Sequence, residues 1–331
     1  MLKYFKFILF YVLICFQFNP LFANNPEFNI WLNNFKKIAL DKGISIKTVN
    51  EILSEAKFID RVIVYDNRQP EFFEKTNIYI SKRARDSSKQ KAKLLLKKYN
   101  KIFTTVEKDF AVNKEIILAL WSIETNYGNN FGKMDIISSL ATLSFDKRRS
   151  AFFTKELLIL LSLIDKKTVS KEMLYGSWAG AVGNFQFMPS TILNYGIDYD
   201  NDNKIDLKKS KWDSIASAAN YINKIGWDKN LYCFQEVKFT KDVDKVFFNH
   251  SARKLKEKHD SIFWNNLGII SKSSEKKINL IGKSALVLPD GDINSPKYLV
   301  SDNYERILKW NRSLRFALSV CTLANKIKNE Y

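Results

Sequence analysis

Cysteine is scarce in this 331-residue chain: Cys15, Cys233 and Cys321 are the three, and no pair is spaced as CxxC. Nothing therefore points to thiol redox or cysteine-zinc chemistry. Downstream of residue 23 there is no long apolar run, no internal repeat and no extended low-complexity linker. Neither a second membrane segment nor a string of loosely tethered modules is expected. Acidic residues are outnumbered, 35 Asp and Glu against 53 Lys and Arg, for a net charge of +18. A nucleic-acid binder is one explanation of such a balance. An anionic envelope polymer or lipid surface is another, and biased lysine usage a third.

The N-terminus narrows these choices. Lys3 and Lys6 precede an apolar run from Phe7 to Phe18, which Gln17, Asn19 and Pro20 interrupt before a spanning length is reached; the small Ala23 follows. This is the order of a secretory signal peptide over 1–23, cut after Ala23. The bulky Leu21 and Phe22 keep retention as an anchor open. Ile14 before Cys15 argues against lipidation. An exported chain with this charge is expected in the periplasm, on an anionic polymer and not on nucleic acid. Cys233 and Cys321 would remain, either as structural residues or as free thiols.

Apolar residues recur at helical spacing in FNIWLNNFKKIAL, IKTVNEILSEA and KAKLLLKKYNKIF. The spacing predicts a helical region over 24–110 and a helical core over 111–227, including a helix over 213–226 with Asp213 as its N-cap. Between 228 and 302 short β-prone pieces (INLIG, ALVLP, YLV) alternate with turn residues such as Pro289, Asp290 and Gly291. The last segment, 303–331, reads as a helix that returns to the core, running from about Trp310 to Ile327. The expected class is mainly α (α+β), with a small β-rich insertion.

Three segments carry chemistry. KEIILALWSIET ends in Glu124, a carboxyl group on so apolar a helix that its charged form would be penalised, as a general acid requires. An ordinary helix-end carboxylate is the plain alternative. GSWAGAVGNFQFMPS sets Gly176, Gly180 and Gly183 where backbone can approach a sugar, with Ser177 and Gln186 to hydrogen-bond it; tight packing against a neighbour is the alternative. DYDNDNKID places Asp198, Asp200, Asp202 and Asp206 at positions 1, 3, 5 and 9 of an EF-hand-like loop, with Lys204 offering a carbonyl at position 7. Asn203 stands where that loop wants glycine, and Lys209 where it wants a bidentate Glu. One structural calcium ion is expected, with no organic cofactor.

IETNYGNNFG, SSLATLSFDKRRSAFFTKEL and GSWAGAVGNFQFMPS together resemble the membrane-bound lytic murein transglycosylase B family. VYDNRQPEF, SAANYINKIGW and NYERILKWNRSLRFALSV extend the resemblance in order from about residue 28 to 327. It implies a lysozyme-like helical core and peptidoglycan glycan strands as substrate. The β-1,4 bond between N-acetylmuramic acid and N-acetylglucosamine would be cleaved, closing a 1,6-anhydro ring.

In that scheme Glu124 acts first as acid and then as base. Ordinary glycosidases use two carboxylates, and only Asp135 and Asp146 lie near in sequence. The resemblance also assigns substrate contacts to Arg148, Arg149, Tyr79, Tyr127, Tyr221 and Asn311, and suggests Asp213 as a further calcium ligand from a longer loop. Trp310 and Phe316 stand where relatives commonly have tyrosine, which removes two hydroxyls. A monomer is expected, with envelope or cell-wall synthesis proteins as open partners. A hydrolytic muramidase and a catalytically silent peptidoglycan-binding scaffold are the rival functions.

Overall fold

The computed structural model describes residues 25–67 and 74–329; the leader and residues 68–73 of the upstream motif lie outside the described residues. The fold is mostly helical, as expected. Six helices open it: α1 (Pro26–Asp41), α2 (Ile46–Leu53), α3 (Asp60–Asn67), α4 (Thr76–Arg83), α5 (Asp86–Lys98) and α6 (Asn100–Phe110). Around the site follow α7 (Lys114–Thr125), β1 (Met134–Asp135), α8 (Ile136–Phe145), α9 (Ser150–Asp165), β2 (Tyr175–Gly176), α10 (Pro189–Tyr195) and α11 (Lys211–Lys224). No helix among the described residues is long and apolar enough to cross a membrane.

The centre is α7. Every residue from Ile116 to Ser122 is buried, as a helix apolar on all sides must be, and α6, α5, α11 and the C-terminal helix (Leu314–Lys328) pack around it. The N-terminal helices share its core instead of forming a separate lobe. Hydroxyl groups bolt them on: the backbone N–H groups of Lys57 and Ile59 donate to Ser138 Oγ at 2.9 Å and Thr142 Oγ1 at 3.0 Å on α8. Thr48 on α2 donates to Asp165 at the end of α9 at 2.6 Å. The SSLAT string thus serves to anchor the preceding region, because its buried hydroxyls satisfy backbone donors that no helix or sheet serves.

The β-rich segment is also present. After α11 come β3 (Phe234–Phe239), α12 (Ser261–Asn266), β4 (Ile269–Ser271), β5 (Ala285–Val287) and β6 (Lys297–Val300). The four strands form an antiparallel sheet in the order β4-β3-β6-β5. Val237, Trp264, Ile269, Leu286 and Leu299 give it a small apolar core of its own.

The expected single C-terminal helix is two, α13 (Asp302–Trp310) and α14 (Leu314–Lys328). Asn311 adopts an extended conformation, and Ser313 restarts the chain by accepting from Phe316 N. Trp310 therefore ends one helix instead of opening another, and that break aims it at the site.

Cys233 and Cys321 form a disulfide with Cα atoms 6.0 Å apart, tying the entrance of the β-lobe to α14. Asp290, between β5 and β6, makes a second tie. It accepts from the Thr76 hydroxyl at 2.6 Å and from Arg315 Nη2 at 2.8 Å. Burial raises its pKa, but the bonds from Thr76 and Arg315 outweigh this and hold it below the usual carboxylate range. Cross-linking residues 88 apart in sequence restricts the unfolded chain by about 2–5 kcal/mol. Cys233→Ser, or reduction of the wild type, is expected to lower the urea midpoint accordingly. A midpoint unmoved by dithiothreitol would show that the bond contributes nothing.

Candidate active site

α7 is closed by three consecutive residues at positive φ: Asn126, Tyr127 and Gly128. Asn126 N–H returns to Ser122 O and Tyr127 N–H to Trp121 O, at 2.8 and 3.1 Å, a Schellman-type ending that turns the chain sharply. Glu124 sits in the last turn, partly exposed, where the buried helix reaches the surface. Trp310 Nε1 donates to Glu124 Oε1 at 2.8 Å. A fixed N–H of this kind orients a carboxylate whose own stem would leave it free to rotate.

Trp310 is in turn held by rings. Tyr221 stacks on it with centroids 4.8 Å apart, and Tyr195 stacks on Tyr221 at 4.2 Å. Phe187 meets Trp310 edge-on at 5.4 Å. The Tyr221 hydroxyl donates to Lys309 O at 2.9 Å, and burial, with Tyr195 alongside, pushes its pKa up to about 12. Both faces of Tyr221 are thus taken by protein rings and its hydroxyl by backbone. The expected sugar contact is replaced by support for Trp310. Where a tyrosine would carry a hydroxyl, position 310 carries an indole N–H, and it is aimed at Glu124.

Behind Glu124 lies a residue that sequence reasoning passed over. Asn184 is fully buried. Its Oδ1 accepts from Trp121 Nε1 at 2.9 Å, and its backbone O accepts from the Thr125 hydroxyl at 2.7 Å. Its Nδ2 donates to Leu207 O, Lys208 O and Ser214 Oγ at 2.9 to 3.1 Å. One side chain therefore joins α7, the glycine-rich loop, the exit of the aspartate loop and α11.

The glycines of the loop serve the same closeness. A Cβ on Gly183, at φ +73, would lie 2.4 Å from Leu207 O, to which Asn184 N–H donates at 2.8 Å. Gly176 and Gly180 are likewise crowded by Ala181 O and Leu140. Their smallness lets backbone approach backbone, so the packing alternative holds for them and not the sugar-approach one.

Ser177 and Gln186 remain half-exposed on this loop. Ser177 Oγ accepts from Ala181 N at 2.9 Å, which leaves its hydroxyl proton to donate. Gln186, at φ +50, gives its amide to Gly183 O at 3.1 Å and Phe131 O at 3.3 Å, presenting its oxygen as an acceptor. Asn311, half-buried, follows Trp310 directly.

Four other expected contacts are placed differently. Tyr79 and Tyr127 are 3% and 5% exposed. The Tyr127 hydroxyl donates to Ser88 O at 2.6 Å, and the Arg83 guanidinium covers Tyr79 at 3.4 Å. Both rings are packed into the core, where the sequence had suggested sugar contacts. Arg148 and Arg149 both pair with Asp66, a buried carboxylate on α3, and Arg148 also donates to its backbone O at 2.7 Å. These arginines clasp two motifs together, and their charge is largely spent there.

Asp135 N-caps α8 through Ile137 N at 3.0 Å, and Asp146 accepts from Arg148 N at 3.3 Å. Neither carboxylate has a catalytic placement.

In the aspartate loop, carboxylate oxygens of Asp198, Asp200 and Asp202 lie within 4.8 Å of one another. Asn203 takes the left-handed turn at φ +71, a conformation asparagine tolerates better than most residues, so the missing glycine is no obstacle. Asp206 instead accepts from Lys208 N and Lys209 N at 2.9 and 2.8 Å. Asp213 is not the N-cap of α11, a role Ser210 fills. It is fully buried and accepts from Tyr199 N and Asp206 N at 2.9 Å. Burial, then Asp200 nearby, raises its pKa against these hydrogen bonds. The carboxylate oxygens that lie within 4.8 Å of one another are those of Asp198, Asp200 and Asp202; Asp206 and Asp213 are not in that group.

A family model described as "Transglycosylase SLT domain" matches residues 27–325. This chain belongs to the transglycosylase SLT family. Among its relatives, membrane-bound lytic murein transglycosylase B of Escherichia coli (strain K12) is 33% identical over 221 residues, a stretch covering 63% of this chain and 59% of that protein. The match thus spans about three fifths of that relative's length. SltB3 from Pseudomonas aeruginosa, solved with NAG-NAM-pentapeptide, superposes with a TM-score of 0.83 at 30% identity, covering 91% of this chain and 79% of that one. Escherichia coli Slt35, solved with calcium, gives a TM-score of 0.75 at 27% identity over 93% and 95% of the two chains. The helical fold is shared with these solved lytic transglycosylases.

Asn184→Ala would leave the buried Trp121 indole N–H without its acceptor and remove the side-chain donor to Leu207 O, Lys208 O and Ser214 Oγ, costing about 1–3 kcal/mol. Denaturant melts should show a lower midpoint, accompanied by loosening of the aspartate loop in hydrogen exchange. An unchanged midpoint would remove Asn184 from its place at the centre of the site.

Proposed function

We propose that this chain is a lytic transglycosylase that cleaves the β-1,4 bond between N-acetylmuramic acid and N-acetylglucosamine in peptidoglycan. The observation that carries the proposal is a single carboxylate, Glu124, fixed by Trp310 at the mouth of a buried helix, while Asp135 and Asp146 are committed to local structure. Family membership and the NAG-NAM-pentapeptide bound by SltB3 support the same substrate.

One carboxylate suffices when the substrate supplies its own nucleophile. Glu124 protonates the glycosidic oxygen, and the C1–O bond breaks. The muramoyl acetamido group supports the charge that develops at C1. Glu124, now a carboxylate, takes the proton of the C6 hydroxyl, and O6 bonds to C1 to close the 1,6-anhydro ring. Glu124 ends protonated for the next cycle, and no water is consumed. Ser177 donates to, and Gln186 accepts from, sugar hydroxyl and acetamido groups, and Asn311 contacts the sugar beside Trp310. Arg148 and Arg149 shape the groove through Asp66. The substrate sets the working compartment as the periplasm, to which a leader over 1–23 would deliver the chain.

Glu124→Gln should reduce anhydromuropeptide release from purified sacculi by about a thousandfold or more while leaving the melting midpoint unchanged. Mass spectrometry of the wild-type products separates the rival chemistry, since reducing, hydrated muramic ends would make the enzyme a muramidase.

Asp198, Asp200 and Asp202 fit one calcium ion: their carboxylate oxygens, hard donors, lie within 4.8 Å of one another. Lys204 would add its carbonyl, and water the rest. The ion would stiffen the loop that Asn184 grips, with no part in the proton transfers. Titration calorimetry of chelator-treated protein is expected to show one calcium bound at millimolar concentration or below, and Asp200→Ala to abolish it. No heat from the wild type would remove the site.

A further inference from the structure

Trp310 reaches Glu124 Oε1 with an indole N–H at 2.8 Å. A hydroxyl rotates to suit its partner and both donates and accepts, whereas an indole N–H only donates and lies in the plane of its ring. Its aim is therefore the orientation of the ring itself. Backbone does little to set that orientation, because Trp310 is the last residue of α13 and Asn311 beyond it is extended at φ −140. Other rings set it. Tyr221, on α11, lies nearly parallel to Trp310, with 19° between the planes. Tyr195, at the end of α10, lies nearly parallel to Tyr221, with 14° between them. Both ends of α10 are anchored: the buried Glu156 accepts from Ser190 N at 2.8 Å and from its hydroxyl at 2.6 Å, and Tyr195 O accepts from Asn220 Nδ2 at 2.9 Å. Three rings from three helices thus form a stack whose inner member holds the acid and whose outer member, Tyr195, is half-exposed.

The same bond selects the working oxygen. Oε1 accepts the Trp310 N–H, so in the acid form it is the carbonyl oxygen and the proton sits on Oε2. Oε2 then gives that proton to the glycosidic oxygen and takes up the proton of the C6 hydroxyl. We propose that Tyr195 is a positioning residue for this reaction: through Tyr221 and Trp310 it keeps the Glu124 carboxyl turned so that Oε2 faces the scissile bond. The proposal rests on the transglycosylase reading above. A ring that only filled the core would be buried, whereas Tyr195 is half-exposed and lies face to face with its neighbour.

The test is a mutant cycle on soluble, uncross-linked glycan strands, read as kcat and KM. Tyr195→Ala should lower kcat about tenfold and leave KM unchanged, because a poorly aimed acid slows the chemical step and not binding. Tyr195→Leu, which refills the volume without a flat face, should show the same loss, and Tyr195→Phe, which keeps the ring, should retain the wild-type kcat. Trp310→Phe keeps a ring but has no N–H, and should itself lower kcat. Adding Tyr195→Ala to it should then cost nothing further, since no donor is left to aim. Losses that multiply in the double variant, or an unchanged kcat in both Tyr195→Ala and Tyr195→Leu, overturn the inference. A raised KM with kcat intact overturns it too, and would make Tyr195 a direct sugar contact. The products keep the two readings apart: any of these failures with anhydro ends leaves the transglycosylase reading standing, whereas reducing muramic ends from the wild type overturn that reading and, with it, the use of Oε2 for both proton transfers.

Discussion

Burying a primary amide without partners costs more than most single contacts return, so the surroundings of Asn184 must agree with one another. Trp121 on α7, Ser214 on α11, and Leu207 and Lys208 at the exit of the aspartate loop all meet that one side chain. Thr125, next to Glu124, is fixed by the same residue's carbonyl. The helix that carries the acid and the loop that presents Ser177 and Gln186 therefore cannot shift independently. A calcium ion on Asp198, Asp200 and Asp202 would act on the acid through this network, by stiffening the segment whose carbonyls Asn184 grips.

Much of this was legible in the sequence, but in a particular way. The apolar periodicity of KEIILALWSIET announces a buried helix with a carboxylate at its end, because periodicity reports burial directly. The turn-rich spacing of 228–302 announces short strands. Asn184 was not legible: in GNFQF it is a polar residue in a loop, and its partners lie 23 to 63 positions away. Tyr79, Tyr127 and Tyr221 failed differently. A tyrosine beside a binding motif reads as a contact, yet a large ring near a helix end fills the core unless something keeps it out. Tryptophan in place of tyrosine at 310 reads as a lost hydroxyl until the geometry shows an N–H at Glu124.

The arginine pair carries the same lesson for charge. From DKRR alone, Arg148 and Arg149 are cations offered to a substrate. In the fold they converge on Asp66, whose burial would be untenable without them. Guanidinium groups thus divide into those that hold the protein together and those left over. Arg315, tied to Asp290 and through it to Thr76, belongs with the first kind; Arg253 and Arg312 belong with the second.

That division bears on why the β-lobe is attached as it is. The lobe has its own small core, while Ala285, Val287, Tyr298 and Val300 of its strands belong to the main core of the helical body. The Cys233–Cys321 bond and the Asp290 clamp fix its entrance and its β5–β6 turn to α14 and α4. Arg253 comes from the lobe and Arg312 from the α13–α14 junction, and both line the clefts between them. Because α13 also carries Trp310, the same junction sets the donor to Glu124, and a displacement there would be felt at that carboxylate.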